Sequence, residues 1–365
     1  MHHPRADATE RHAPLRVGAI GVGNMGQHHT RIFSLLPDVE LVGVADIDVE
    51  RGLAIAQQYQ IDFYESYREL LPHVDAACIA VPTRLHYRVG LDCLHAGVHV
   101  LMEKPIAASL VEAEALVEAA TAAGAILQVG HIERFNPTFS ELRQILQAET
   151  PLALEAHRLS PHPQQASDVS VVMDLMIHDL DLLLELMAAP PVKLAASGSQ
   201  TASSQQLDYV TATVGFANGL LATLTASKVA HRKTRRIAAH CQHALAEADL
   251  LGNEVSIYRH AAARGSTDCH AAWHRQDCDL EQVQAQQIEP LHAEIAHFIR
   301  CIRNGARPSV GGEQALQALR LATWVEQMAL TDRADTCNGA AAPTTSLSPL
   351  PLEFAESCRD SGQRG

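Results

Sequence analysis

The stretch LRVGAIGVGNMGQHHTRIFSLLPDVELVGVAD, residues 15–46, decides how the first third of the chain is read. It opens on a short apolar run and passes through Gly21-Val22-Gly23-Asn24-Met25-Gly26. It then continues as a helical segment and closes on a second apolar run that ends at Asp46. In a GxGxxG placed between strand and helix, Gly21 permits the tight turn, Gly23 lets backbone approach a pyrophosphate, and Gly26 lets the helix pack closely on the strand. The helix N-terminus, with Asn24 and Met25 in its first turn, offers free N–H groups and a positive dipole end to a diphosphate. Asp46 lies 20 residues beyond Gly26. A carboxylate there accepts hydrogen bonds from the adenosine ribose and repels a 2′-phosphate, and the neighbouring Ile47 adds no compensating charge. The expected cofactor is NAD.

Outward from this stretch, apolar strands keep alternating with amphipathic helices as far as AILQVG (125–130). That rhythm is the mark of parallel βαβ units and a doubly wound sheet. After Gly130 the pattern changes: LALEAHRLS, DYVTATVGF, GLLATLTASKVA and RRIAAH alternate as antiparallel strands, interrupted by the apolar helix VVMDLMIHDLDLLLELM. The fold class expected is α/β followed by α+β, a Rossmann domain and then a domain on a large, mostly antiparallel open sheet. The boundaries expected are a disordered tail over 1–13, the Rossmann domain over 14–132, the second domain over 133–333 and a disordered tail over 334–365.

Composition narrows the function classes. The 365 residues carry 28 Lys plus Arg against 42 Asp plus Glu, a formal charge of −14. This balance opposes a nucleic-acid partner, which needs a basic surface. No apolar run is long enough to span a membrane and no secretory core follows Met1, so a cytoplasmic protein is expected. The eight cysteines are scattered without a CxxC pair, and reduced thiols are the default. Cys269, His270, His274 and Cys278 match no common zinc spacing, and no metal is expected.

Further motifs follow in order: Ala80-Val81-Pro82-Thr83 with His86, then His99-Val100-Leu101-Met102-Glu103-Lys104-Pro105, then Gly130-His131-Ile132-Glu133-Arg134-Phe135-Asn136-Pro137. Together with Gly26-Gln27-His28-His29 and Pro290-Leu291 before Glu294 and Phe298, they resemble the glucose–fructose oxidoreductase, inositol dehydrogenase and rhizopine-catabolism (Gfo/Idh/MocA) family of NAD(P)-dependent sugar dehydrogenases. The hallmark of that family is a Glu-Lys-Pro triplet after the fifth strand. The resemblance spans about Leu15 to Leu330. It implies that Pro82, Thr83, His86, Glu103, Lys104 and Gln128 join the glycines, Asp46 and Ile47 around the cofactor.

Asp174 and His178 stand four residues apart in the apolar helix, and Asp181 seven from Asp174, so a regular helix projects all three from one face. A polar stripe there is costly unless paired or used. The resemblance makes Asp174 and His178 the second catalytic motif, opposite Lys104 at the nicotinamide. Alcohol oxidation requires a hydride to leave carbon and a base to take the hydroxyl proton. His178 titrates near the working pH without a large shift, whereas Lys104 would need a strongly lowered pKa. His178 is therefore favoured as acceptor, with Lys104 stabilising the alkoxide and Asp174 orienting both.

Within the family, the 130–137 string, Arg158-Leu159-Ser160-Pro161 and the 171–181 helix are most similar to UDP-N-acetylglucosamine 3-dehydrogenases. That similarity implies a UDP-sugar substrate and a functional partnership with a PLP aminotransferase on a route to 2,3-diamino sugars of lipid A and lipopolysaccharide. It also implies a homodimer or homotetramer. Lys104, Arg134, Asn136, Arg158, Ser160, Asp174 and His178 are the expected substrate contacts, with Arg134 and Arg158 placed to fork onto the diphosphate. The basic run His231-Arg232-Lys233-Thr234-Arg235-Arg236 is read as a solvated edge segment or as an attractor for the UDP moiety. Alternatives are UDP-N-acetylglucosaminuronic acid, a free sugar or inositol as substrate, and, in another class, a non-catalytic NAD-sensing regulator.

Overall fold

The computed structural model describes residues 13–161, 169–187, 189–202, 204–260, 278–337 and 348–349. Its contacts divide the chain into two compact units, the first ending at Gly130 and including Glu294–Gly312, the second formed by His131–Ala293 and the residues from Glu313 onward.

The first unit carries six parallel strands: β1 (Leu15–Ile20), β2 (Val39–Ala45), β3 (Asp62–Tyr64), β4 (Ala76–Ile79), β5 (His99–Met102) and β6 (Leu127–Val129). Their spatial order is β3-β2-β1-β4-β5-β6, a doubly wound arrangement whose switch point lies between β1 and β4. Buried on both faces, these strands read as continuous apolar runs; all four residues of β4 are buried. The helices are α1 (Asn24–Phe33), α2 (Val49–Tyr59), α3 (Tyr67–Leu70), α4 (His86–His95) and α5 (Leu110–Ala123). Ser109 caps α5 by accepting from the Glu112 amide, and Gly124 ends it in the left-handed region at φ +62°. The return segment, not legible as part of this unit in the sequence, docks through Val129 N donating to Val310 O (2.9 Å). Arg303 adds donation to the Asp38 carbonyl (2.7 Å).

The second unit opens with a 3-10 turn, Ile132–Phe135, and α6 (Pro137–Ala148). Its sheet uses β7 (Pro151–Pro161), β8 (Pro191–Ser199), β9 (Tyr209–Phe216), β10 (Leu221–Ala230), β11 (Thr234–Cys241), β12 (Ala244–Asp249), β13 (Glu254–His260), β14 (Cys278–Gln284) and β15 (Ser348–Pro349). The order is β14-β13-β12-β11-β7-β10-β9-β8-β15, antiparallel except for the β7–β10 pair. One face is covered and the other open, as the alternation of buried Val210, Ala212 and Val214 with Thr211 and Thr213 requires.

The segment read as one regular helix is two: a π-helical turn, Val172–Met176, runs into α7 (Ile177–Leu186). Two closing helices are α8 (Pro290–Asn304), which crosses the division between the units, and α9 (Gly312–Cys337). α9 continues past residue 333, and β15 pairs Ser348 with Leu194, so both enter the stretch expected to be a disordered tail. Among the described residues no helix is long and apolar enough to cross a membrane.

Candidate functional site

In the first unit the glycine turn between β1 and α1 is sterically obligatory. Gly21 sits at φ +84°, and a Cβ on Gly26 would lie 1.9 Å from the Gly21 carbonyl oxygen. A Cβ on Gly23 would meet nothing within 4 Å. That open side is where a diphosphate can approach the start of α1. The cleft beyond it, about 660 Å³, is lined by Gly21, Gly23, Met25, Asp46, Ile47, Arg51, Pro82, Thr83, His86, Glu103 and Lys104. Asn24 begins α1 beside it. The cradle fits the dinucleotide the sequence implies.

Asp46 Oδ2 accepts from the Val22 amide (2.7 Å), and Oδ1 accepts from the Asp48 amide (2.8 Å) and from Arg51 Nη2 (2.7 Å). Burial pushes its carboxyl up, but Arg51 and the two amides outweigh burial and hold it below the usual range. Arg51 was missed in the sequence, where only Ile47 was considered beside Asp46. The available signal was its place three residues after the helix cap Asp48, which accepts from the Arg51 amide (3.0 Å). An arginine bound to the ribose-reading carboxylate has a consequence for cofactor choice. Asp46→Ser removes the repulsion and frees Arg51 for a 2′-phosphate, so the NADPH to NADH affinity ratio should rise at least about tenfold. Fluorescence titration reads this, and an unchanged ratio would exclude Arg51 from cofactor selection.

At the other end of the cleft, Glu103 Oε1 and the His29 Nε2 are 2.8 Å apart, and the Lys104 amide donates to Glu103 Oε2 (3.2 Å). Burial raises the Glu103 carboxyl, yet His29 and Lys104 bring it below its ordinary value. Behind it, burial first and the Glu103 charge second push the Glu294 carboxyl well above its ordinary value.

Two expected cofactor contacts are corrected. Gln128 is fully buried and absent from the cleft lining, its amide donating to the Glu294 carbonyl (3.1 Å), so it joins α8 to the sheet. His86 borders the cleft, but its ring is 1% exposed and both nitrogens are engaged by the Pro105 (2.8 Å) and Val81 (2.9 Å) carbonyls. Its role is to hold the Lys104–Pro105 loop.

In the second unit the π-helical turn changes the spacing on which the one-face expectation rested. Asp174 sits in the turn with its side chain 41% exposed, paired to Lys228 Nζ at 3.0 Å. The ring of His178 meets that of His131 edge-on, centroids 6.2 Å apart at 80°. His131 Nδ1 lies 3.8 Å from Asp181 Oδ2. Asp181 in turn is gripped by both Arg134 Nε (2.7 Å) and Nη2 (2.8 Å). His131 and Lys228 were not singled out in the sequence. A lysine at a covered position of an alternating strand was the signal for the second.

The diphosphate reading of the arginines is overturned. Arg158 is 2% exposed, with Nε and Nη2 on Asp179 (2.9 and 2.8 Å) and Nη1 on Glu133 (2.9 Å). Arg134 is occupied by Asp181 and Glu185. A guanidinium whose fork is filled by buried carboxylates has no face left for phosphate. Asn136 is likewise structural: Oδ1 accepts from the Thr138 amide (3.0 Å) to cap α6, and Nδ2 donates to the Leu250 carbonyl (3.1 Å). Ser160 lies half-buried near the end of β7. In the basic run, Arg235 reaches Glu133 (2.9 Å) and Arg236 pairs with Glu247, while His231, Arg232, Lys233 and Arg236 are exposed. Cys269, His270 and His274 lie outside the described residues.

The glycine cradle, Asp46 just beyond β2 and the Glu103-Lys104-Pro105 loop fit an NAD-binding oxidoreductase. A family model described as "Oxidoreductase family, NAD-binding Rossmann fold" matches residues 15–131, and a "GFO/IDH/MocA C-terminal domain" matches residues 149–247. A UDP-N-acetylglucosamine 3-dehydrogenase of Acidithiobacillus ferrooxidans is 38% identical over 79% of this chain and 88% of its own. A crystal structure of that enzyme superposes with TM-score 0.79 at 34% identity, covering 87% of this chain and 98% of the other. A myo-inositol 2-dehydrogenase of Thermotoga maritima is 25% identical over 84% of this chain and 94% of its own. The chain belongs to the Gfo/Idh/MocA family and is an NAD-dependent oxidoreductase acting on a CH–OH group.

Proposed function

We propose that the enzyme oxidises the 3-hydroxyl of UDP-N-acetylglucosamine to the 3-keto sugar. The observation that carries this reading is the presence of Lys104, Asp174 and His178 together in a chain 38% identical to a UDP-N-acetylglucosamine 3-dehydrogenase. NAD, when bound, supplies the hydride acceptor. His178 takes the hydroxyl proton as the hydride leaves carbon 3, Lys104 stabilises the developing alkoxide with its ammonium, and Asp174 orients the proton acceptor.

A neutral hexosamine is favoured over its uronic acid. A sugar carboxylate needs an additional cation, and Arg134, Arg158 and Lys228 are each already matched by carboxylates. The 3-keto product is a substrate for transamination, so we place the enzyme before a PLP aminotransferase on a route to 2,3-diamino sugars of lipid A. The open face of the second-unit sheet is the surface through which a homodimer or homotetramer is expected, in the cytoplasm.

The test is NADH absorbance with UDP-N-acetylglucosamine, its uronic acid, myo-inositol and glucose, each with and without a glutamate-dependent aminotransferase. Coupling matters because ketone formation is uphill. Turnover with UDP-N-acetylglucosamine and none with inositol is the expected result. Turnover only with inositol or glucose would sink the nucleotide-sugar assignment, and no turnover with NADH still bound would favour a sensor.

A further inference from the structure

Two departures from regular secondary structure converge on one ion pair in the second unit. The first is the π-helical turn Val172–Met176, which carries Asp174. Such turns widen a helix locally and recur at functional positions. The second lies in β10. It pairs with β7 in step from Leu221↔Ala153 to Ser227↔Leu159 and resumes only at Ala230↔Pro161, so β10 holds one residue more than β7 across the gap. A bulge of this kind redirects a side chain.

Within the bulge is Lys228. It closes the run Ala226–Lys228, which is buried throughout, and its side chain is 5% exposed. Burying an ammonium is unfavourable unless it is fully engaged. Lys228 Nζ lies 3.0 Å from Asp174 Oδ2 and donates to the Val169 carbonyl (2.7 Å), while its amide donates to the Asp208 carbonyl (2.8 Å). Other titratable groups around the pair are His178 on α7, Glu326 on α9, which accepts from Ser170, and Asp208, which accepts from Thr201 (2.7 Å). An apolar residue at position 228 would satisfy packing at lower cost. The lysine is therefore explained by what it does to Asp174.

We propose that Lys228 is a positioning residue for the dehydrogenation: it fixes Asp174 in the π-helical turn and keeps it ionised, so that an accessible carboxylate edge is presented next to His178 in sequence and helix. This rests on the roles given to Asp174 and His178 under the proposed function.

Lys228→Met and Lys228→Arg separate positioning from packing. With Lys228→Met, kcat should fall about tenfold to a hundredfold at neutral pH. The acid limb of the kcat profile, set by His178 in the proposed mechanism, should move up by about one pH unit, because the Asp174 carboxylate, no longer neutralised by Lys228, favours the imidazolium. The KM for NAD should stay unchanged, and Lys228→Arg should restore both kcat and the limb. Loss of kcat without movement of the limb, or without rescue by arginine, would overturn the proposal in favour of packing alone.

A second arm needs no turnover. In Asp174→Cys, alkylation by iodoacetamide, followed at position 174 by peptide mass spectrometry, gives the thiol pKa; adding Lys228→Met should raise it by about one unit. If the wild-type enzyme oxidises no UDP-sugar, the functional reading fails while this arm still decides whether Lys228 sets the charge at position 174. An unmoved thiol overturns the proposal.

Discussion

Replacing Lys104 by methionine is expected to lower kcat by about 10³-fold while NADH affinity changes by less than about threefold. Methionine keeps the length and most of the volume of lysine and removes only the charge. The side chain lines the cofactor cleft at the end of β5, next to Glu103, whose carboxylate is held ionised by His29 and Lys104. In the proposed mechanism Lys104 stabilises the alkoxide charge and His178 removes the proton. The pH profile discriminates the two assignments. If His178 is the base, the residual activity of Lys104→Met keeps the wild-type acid limb, and His178→Asn abolishes that limb. If Lys104 is the base, its removal takes the titration with it. Wild-type turnover in Lys104→Met would remove the residue from the chemistry altogether.

The double replacement adds a further check. In the proposed mechanism both groups act on one alcohol and their effects are not additive, so Lys104→Met with His178→Asn should cost little more than the worse single variant. Strict multiplication of the two effects would indicate independent roles.

The first unit was legible because its signals are local. A GxGxxG fits only where backbone crowds backbone, and the 1.9 Å approach at Gly26 is the physical content of that motif. Apolar runs buried on both faces could be read as parallel strands without knowing their neighbours. The short edge strand β3 and the helical turn α3 carried no comparable pattern and were passed over. The return of Glu294–Gly312 to this unit was hidden as well, because its docking depends on partners distant in sequence, Asp38 for Arg303 and Val129 for Val310.

In the second unit, residue types were found and their partners were not. Arg134 and Arg158 were seen as cations without counterions, because Asp181, Glu185, Asp179 and Glu133 reach them only through the fold. The π-helical turn was invisible for a similar reason. Its residues VMDLM have ordinary helical propensity, and the wider turn is a tertiary outcome that brings Asp174 to Lys228. Sequence spacing therefore misjudged the geometry of the 171–181 segment.

The largest expected effect on stability follows from the same buried network. Arg158→Met should destabilise the folded enzyme by about 3–5 kcal/mol, lowering the thermal midpoint by about 10 °C. The guanidinium is 2% exposed and neutralises two carboxylates at once, Asp179 through two bonds and Glu133 through one. Removing it strands Asp179, while Glu133 retains Arg235 at 2.9 Å. Asp179 already sits above the usual carboxylate range because of burial, even with Arg158 beside it. In the variant that rise grows, so the acid stays protonated and tolerable at low pH and becomes costly as it ionises. The deficit should accordingly increase as pH rises from the unfolded carboxylate range upward. Arg158→Met combined with Asp179→Asn removes the stranded charge and should recover part of the loss. Differential scanning calorimetry across pH reads all of this. A midpoint for Arg158→Met equal to wild type at alkaline pH would mean that solvent reaches Asp179 and that the network contributes little to holding β7 against α7.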